Sequence, residues 1–285
     1  MLSYRHGFHA GNFADVLKHS LLALTVAALK QKSKPFVYID THAGAGKYSF
    51  KSEFAEKTGE YRLGISKVWR EPEPPAELHD YLAAVRAENT GRQLARYPGS
   101  PQLVKRLARP QDRLLLSELH GSDVAALQQL FAGDKQVSVS KEDGLQMLPK
   151  KLPPIQRRGL ILIDPSYEMR DEYKKVVAAL VSGHRHFATG IFAVWYPVIE
   201  RAATEAFIGK LAGSGIPKQL RIEHCVAEDG AGRGMTGSGM LFINPPWLLA
   251  RQAETLLPWL DRVLADGAGR WKVEWTVPET GADGA

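Results

Sequence analysis

The run Gly159-Leu160-Ile161-Leu162-Ile163 constrains the fold more than any other stretch of the chain. Successive side chains of a strand point to opposite sides, so five residues without polar alternation leave no face for water. The run is too short for a core helix and is bounded by Arg157-Arg158 and Asp164-Pro165, which reads as a strand buried on both faces. Such a strand belongs to a parallel sheet with helices above and below. Further strand-like runs lie at 36–39, 113–117, 136–140, 190–195, 219–226 and 240–243, most of them separated by helices with an apolar stripe. The expected fold class is α/β, a mostly parallel, doubly wound sheet. Only a Gly-rich loop separates the last two runs, so they are expected to pair as a hairpin and place one antiparallel strand in the sheet.

Residues 1–11 read as an N-terminal arm, and Asn12 is placed to cap the helix that follows. The sheet domain is expected over 12–50 and 99–280, resuming at Gly99-Ser100-Pro101 with a serine cap and a proline in the first turn. Between them, 51–98 is charged and helical, with apolar stripes Tyr61, Ile65, Val68, Trp69 and Leu78, Tyr81, Leu82, Val85 on either side of Glu71-Pro-Glu-Pro-Pro75. This segment is expected to form an inserted helical subdomain. The Gly-rich end, 281–285, is expected to fray. Cys225 is the single cysteine, which excludes an internal disulfide and a cysteine metal cage. The longest mostly apolar stretch, 21–29, is far too short to span a bilayer, and Asp15, Lys30 and Lys32 around it do not fit a targeting leader. A cytoplasmic monomer is the expectation.

At the carboxyl end of the buried strand stand Asp164-Pro165-Ser166-Tyr167-Glu168. Ligands of open α/β sheets bind at that end. An acid, a proline and an aromatic ring suit methylation of an exocyclic base amine, a weak nucleophile because its lone pair is conjugated with the ring. Asp164 can accept one N–H and the carbonyl of Pro165 the other, stabilising the charge that develops on nitrogen. Asp164, or water beside it, can take the proton, and Tyr167 can stack on an unstacked base. The competing reading is a strand followed by a proline turn, with Tyr167 in the core.

Asp40-Thr41-His42-Ala43-Gly44-Ala45-Gly46 follows the first strand, and glycines there allow a tight turn and close approach of a ligand. A phosphate loop needs glycine where Thr41 stands and Ser or Thr where Tyr48 stands. A dinucleotide fingerprint needs a third small residue, for which Ser49 is marginal, and a helix opening directly. A nucleoside cofactor without a pyrophosphate, such as S-adenosylmethionine, is the third reading, with Asp40 and His42 at its amino-acid end. Two acids support it: Glu118 for the ribose hydroxyls, and Asp143, followed by Gly144, for the adenine amine. Taken alone, an acid after a strand is more often a helix cap; the ordered set Asp40, Glu118, Asp143 and Asp164 is the stronger signal.

A net charge of +6 and a pI of about 9.3 favour a polyanionic partner. Basic residues cluster at Lys30, Lys32, Lys34; Lys105, Arg106, Arg109; Lys150, Lys151, Arg157, Arg158; Lys174, Lys175; and His184, Arg185, His186. The modest total suggests a short or naked nucleic acid as substrate. His6 and His9 lack further ligands at metal spacing, so no metal is expected. A second motif of similar form, Asn244-Pro245-Pro246-Trp247, follows the last strand-like run, where its loop should face away from the cofactor loop.

These features together resemble the RlmJ-type 23S ribosomal RNA adenine-N6 methyltransferases from end to end. The resemblance rests on Met-Leu-Ser-Tyr-Arg-His-Gly-Phe-His-Ala-Gly-Asn at the N-terminus, Asp40 to Gly46, Tyr97-Pro-Gly-Ser-Pro101, Glu118, Asp143-Gly144 and Asp164 to Glu168. It implies a Rossmann-like methyltransferase fold. It implies that His19, His42, Ser100, Glu118, Asp143, Gly144 and Asp164 line the S-adenosylmethionine site, with Tyr4 near the target base and Lys18 near the site. The family has two prolines after the acid; here the second is Ser166, which leaves the carbonyl of Pro165 in place.

Overall fold

The computed structural model describes residues 6–279 apart from 92, 170, 232 and 233, and only the backbone of 53, 54 and 56. Its strands are β1 (Val37–Asp40), β2 (Lys47–Ser49), β3 (Arg96–Pro98), β4 (Arg113–Glu118), β5 (Val137–Lys141), β6 (Gly159–Ile163), β7 (Ile191–Val198), β8 (Gln219–Cys225), β9 (Gly237–Ile243) and β10 (Arg270–Val277). Eight of them form one sheet in the order β10-β8-β9-β7-β6-β1-β4-β5. The pairs β6–β7, β1–β6, β1–β4 and β4–β5 are parallel. The expected hairpin is present: β9 runs antiparallel to β8 and also to β7. All five residues of β6 are buried, as their unbroken hydrophobicity requires.

Alternation along the strands sends side chains into two cores. Tyr38, Leu114, Leu116, Leu160 and Leu162 meet Leu17, Leu21, Leu256 and Leu260 of the helices Phe13–Lys30 and Leu249–Leu264. Val37, Ile39, Ile161, Ile163, Phe192 and Val194 meet Val176, Leu180, Phe207 and Leu211 of the helices Glu172–His186 and Arg201–Ala212. Burying one such leucine or phenylalanine contributes about 1.5–3 kcal/mol, so the sandwiched sheet is a rigid base for its strand ends.

Within 51–98, Ile65, Val68, Leu78, Tyr81, Leu82 and Val85 join the first of these cores. The segment is bracketed by β2 and β3, which pair antiparallel with each other, so it leaves the domain close to where it enters.

Sequence reading missed β10, an edge strand antiparallel to β8. Charged residues alternate there with Trp271 and Trp275, which stay 41% and 48% exposed. A half-wet edge gives a weaker pattern than a buried strand.

The chain runs outward from β1 to β4 and β5, then returns to β6 on the other side of β1. That reversal is a topological switch point, and the crevice outside such a point is where this kind of sheet binds ligands. Asp40 and Asp164 stand at its two lips.

Candidate active site

The helix Phe13–Lys30 brings a cation to the crevice. Asn12 caps it, accepting the backbone N–H of Asp15 at 2.9 Å. Lys18, one turn in, is 3% exposed and lies between two acids. Its Nζ is 2.6 Å from Oδ2 of Asp164 and 2.9 Å from Oδ1 of Asp15. Burial opposes the charge on Lys18, but the two carboxylates outweigh it and hold the ammonium above its ordinary pKa. Asp15 also accepts from Gly11 N–H and pairs with His6, both at 2.9 Å. Burial works against its charge too, yet His6 and Lys18 hold it well below the usual carboxylate range. Asp164 ends above that range, because burial prevails over the pull of Lys18. A carboxylate with raised proton affinity is a better acceptor for a proton shed by an amine.

One oxygen of Asp164 is thus tied down, while Oδ1 accepts no hydrogen bond from a described residue. The carbonyl of the buried Pro165 is likewise unbonded among the described residues. Beside them lies Trp195 of β7, whose ring sits 5.6 Å from Lys18 Nζ and whose buried Nε1 lacks a hydrogen-bond partner among the described residues.

Tyr167 stands elsewhere than a base-stacking ring requires. It is 8% exposed, packs against Tyr173, Trp195 and Phe207, and donates its hydroxyl to the carbonyl of Trp195 at 2.6 Å. Its φ of +55° turns the loop sharply after Ser166. The apolar floor under the loop draws the ring inward, so in this conformation Tyr167 braces the loop.

Asp40 is fully buried and accepts the hydroxyls of Tyr38 and Ser100, both at 2.7 Å, and the N–H of His42 at 3.1 Å. Burial lifts its pKa to about 6, against the pull of those bonds. Asp40 and Ser100 therefore shape the 41–46 loop from beneath, while the half-buried His42 reaches its surface. Burial lowers the pKa of His42 to about 4, so the ring is neutral at pH 7. Glu118 accepts the N–H of Gly44 through Oε2 and that of His120 through Oε1, each at 2.7 Å. Gly44 has φ +59°, and a Cβ there would come within 2.4 Å of the Tyr48 hydroxyl. Two backbone donors fix the Glu118 carboxylate while leaving it further lone pairs. Burial raises its pKa.

Asp143 caps the next short helix, with Oδ1 accepting Leu145 N–H at 3.0 Å and Gln146 N–H at 3.1 Å. Gly144 lies so close to β1 that a Cβ would meet the carbonyl oxygen of Thr41 at 2.1 Å. His19 is buried, hydrogen-bonded through Nδ1 to Tyr97 at 2.8 Å, and its Nε2 has no partner among the described residues. Burial drives its pKa down to about 3. Tyr4 lies outside the described residues.

The structure thus gathers Asp40, His42, Gly44, Glu118, Asp143 and Asp164 along one sheet edge and brings Lys18 onto Asp164 from 146 residues away. Trp195 is the site residue that sequence reasoning missed. The signal was an aromatic in the strand next to β6, which the register sets level with Asp164. Asn244 is elsewhere: β9 is reversed, so its end faces the amino ends of the parallel strands. No group of three or more His, Cys, Asp or Glu able to hold a metal occurs among the described residues, and no described helix is long and apolar enough to cross a membrane.

A parallel sheet with a reversed strand wedged between β7 and β8, and acids at successive strand ends, defines the class: a Rossmann-like methyltransferase. Residues 33–277 match the family described as "Ribosomal RNA large subunit methyltransferase D, RlmJ". The chain is 51% identical over 280 residues to ribosomal RNA large subunit methyltransferase J of Escherichia coli, covering 98% of this chain and 100% of that protein. It is 48% identical over 281 residues to the protein of the same name from Haemophilus influenzae, with the same coverage. A crystal structure from Legionella pneumophila superposes with a TM-score of 0.88 at 39% identity, covering 94% of this chain and 98% of that one. The chain belongs to this RlmJ family of ribosomal RNA methyltransferases.

Proposed function

We propose that this protein transfers the methyl group of S-adenosylmethionine to the N6 amine of one adenine in 23S ribosomal RNA, acting as a monomer in the cytoplasm without a metal. The observation that carries the reading is the pair of unoccupied acceptors at the end of β6. Oδ1 of Asp164 and the carbonyl of Pro165 are side by side in the chain, each free of a hydrogen bond from a described residue. The large-subunit RNA in the names of its relatives supports the choice of substrate.

The residues present fit the cofactor. His19 Nε2 and Trp195 Nε1 are buried without a partner among the described residues, beside Lys18, and buried polar groups left open in a crevice suit a ligand. Glu118 would take the ribose hydroxyls, Asp143 the adenine amine, and His42 with the Gly44 turn the amino-acid end. When bound, S-adenosylmethionine supplies a methyl group on a positively charged sulfur. Asp164 then accepts one N–H of the target amine and Pro165 the other, which frees the nitrogen lone pair. Lys18 holds the carboxylate in one rotamer, so positioning supplies much of the acceleration. The same carboxylate, with its raised proton affinity, receives the proton lost by nitrogen. Tyr167 and Trp195 keep this corner dry.

The test is methylation of unmodified 23S RNA by the purified protein, followed by mapping of the labelled nucleotide. One methyl per RNA on N6 of a single adenine is expected. Equal activity on DNA of the same sequence would favour a DNA adenine methyltransferase, since only RNA offers a 2′-OH. Tight cofactor binding with no transfer would favour an inactive RNA-binding module.

A further inference from the structure

Asn244-Pro245-Pro246-Trp247 lies at the sheet edge opposite Asp164 and takes no part in the site above. Its turn is braced in an unusual way. Asn244 adopts φ +52°. Its side-chain amide donates to the carbonyls of Ala188 at 2.8 Å and Gly190 at 2.9 Å, and its backbone N–H donates to Lys218 at 3.1 Å. Two prolines with fixed φ follow, and Leu249 N–H closes onto the Pro246 carbonyl at 2.9 Å, leading into the helix Leu249–Leu264. This scaffold holds out Trp247 at 94% exposure. A large indole on a rigid turn, left in water, is a ready stacking surface.

Lys218, whose carbonyl the Asn244 N–H reaches, is paired with Glu279, but two arginines nearby are uncommitted among the described residues. Elsewhere in the molecule Arg109 is bound to Asp112, Lys105 to Asp134 and Lys151 to Glu142. Arg185 and Arg251, both exposed, form no ion pair with a described residue. Arg185 is in the last turn of the helix Glu172–His186, just before the Ala188 carbonyl that Asn244 grips. Arg251 is in the first turn of the helix that Trp247 and Leu248 lead into. Pairing with a second copy about a two-fold axis would bring these like charges together, which disfavours self-association. A polyanion with exposed bases fits both the charge and the ring.

We propose that this corner is a second RNA contact, in which Trp247 stacks on an unpaired base and Arg185 and Arg251 hold neighbouring phosphates. The proposal rests on the RNA-methyltransferase reading and names a remote part of its substrate. By the strand registers Asn244 is level with Ile191 and Asp164 with Trp195, roughly 13 Å apart along the strands at strand rise. The contacted nucleotides therefore lie about that far from the target adenine. A short stem-loop that ends within that distance of the target reaches only the active site, whereas a long fragment reaches both.

The experiment compares wild type, Trp247→Ala and Trp247→Phe on a short stem-loop carrying the target and on a 23S fragment of several hundred nucleotides. Trp247→Ala is expected to raise KM for the long RNA by roughly 5- to 100-fold, the range for losing one base–aromatic stack. It should leave kcat and the short-RNA kinetics unchanged. Trp247→Phe should restore most of the affinity. Arg185→Ala and Arg251→Ala should each flatten the salt dependence of long-RNA binding. The long RNA should also shield the Trp247 part of the fluorescence, taken as wild type minus Trp247→Phe, from acrylamide. Equal KM for Trp247→Ala and wild type on the long RNA would overturn the proposal. So would a wild-type dimer that Trp247→Ala dissolves without changing RNA affinity. Failure of the underlying reading looks different: wild type would then methylate neither RNA, and this contact would fall with it.

Discussion

Replacing Lys18 with methionine isolates the ion triad at the heart of the site. The hydrocarbon length is kept and only the charge is lost. Nζ lies 2.6 Å from Asp164 and 2.9 Å from Asp15, so each attraction is about 6 kcal/mol at an effective dielectric constant near 20. Desolvation offsets much of that, and breaking a buried pair costs about 3–5 kcal/mol. With an unfolding entropy of about 2.1 cal/mol/K per residue over 285 residues, Tm should fall by about 5–8 °C at pH 7. The pH dependence then distinguishes the triad from simple loss of packing. Asp164 already has a folded pKa above its unfolded value, so its contribution favours the folded state at low pH and fades as pH rises through the folded pKa. Without Lys18 that pKa moves higher still, and two buried acids face each other. The variant's stability deficit should therefore shrink toward pH 5 and grow toward pH 8. Activity should run the other way, low at pH 7 and partly regained as the pH rises and Asp164 ionises. Urea unfolding and methyl-transfer rates measured across that range read both trends. A deficit independent of pH, or a pH–rate profile identical to wild type, would refute the reasoning.

Asp164→Ala should lower kcat by at least ~10²-fold while the chain stays folded, as circular dichroism and a radiolabelled-methyl assay would show together; a near-normal rate removes Asp164 from the chemistry. Glu118→Ala should weaken S-adenosylmethionine binding by about 10-fold or more in calorimetry, because a charge-assisted hydrogen bond is worth about 1.5–3 kcal/mol. Unchanged affinity counts against the ribose role. Gly144→Ala sets a Cβ at 2.1 Å from the Thr41 carbonyl, an overlap with backbone that forces a shift of the cofactor loop. A lower Tm and weaker cofactor binding are expected, and a fully wild-type protein would mean that the loop yields freely.

The strand order and the acid row were legible because each rests on local pattern. Gly159–Ile163 announces a doubly covered strand by hydrophobicity alone, and a reading of successive strands then places Asp40, Glu118, Asp143 and Asp164 at one edge. The hairpin of β8 and β9 was legible from the Gly-rich loop between two apolar runs. The edge strand β10 was not, since alternating Lys272, Glu274 and half-exposed tryptophans resemble a solvated tail.

Residue types fix what a side chain can do, but only packing decides which neighbour it meets. Asp143 illustrates this: sequence allows a cap or a ligand contact, and the folded chain uses Oδ1 for the cap while Oδ2 takes only the side chain of Gln146 at 2.8 Å. Tyr167 is a second case, since the same aromatic position serves base stacking or a packed core. The apolar surroundings of Tyr173 and Phe207 turn its ring inward. Lys18 is the third. Helical periodicity puts it beside the apolar stripe of the first helix, where a charge is costly, and nothing local repays that cost. The repayment comes from Asp15 one turn earlier and from Asp164 across the crevice. A buried lysine that periodicity cannot justify is thus a sign of an acid elsewhere in the chain, and at this site that acid is the one proposed to grip the target amine.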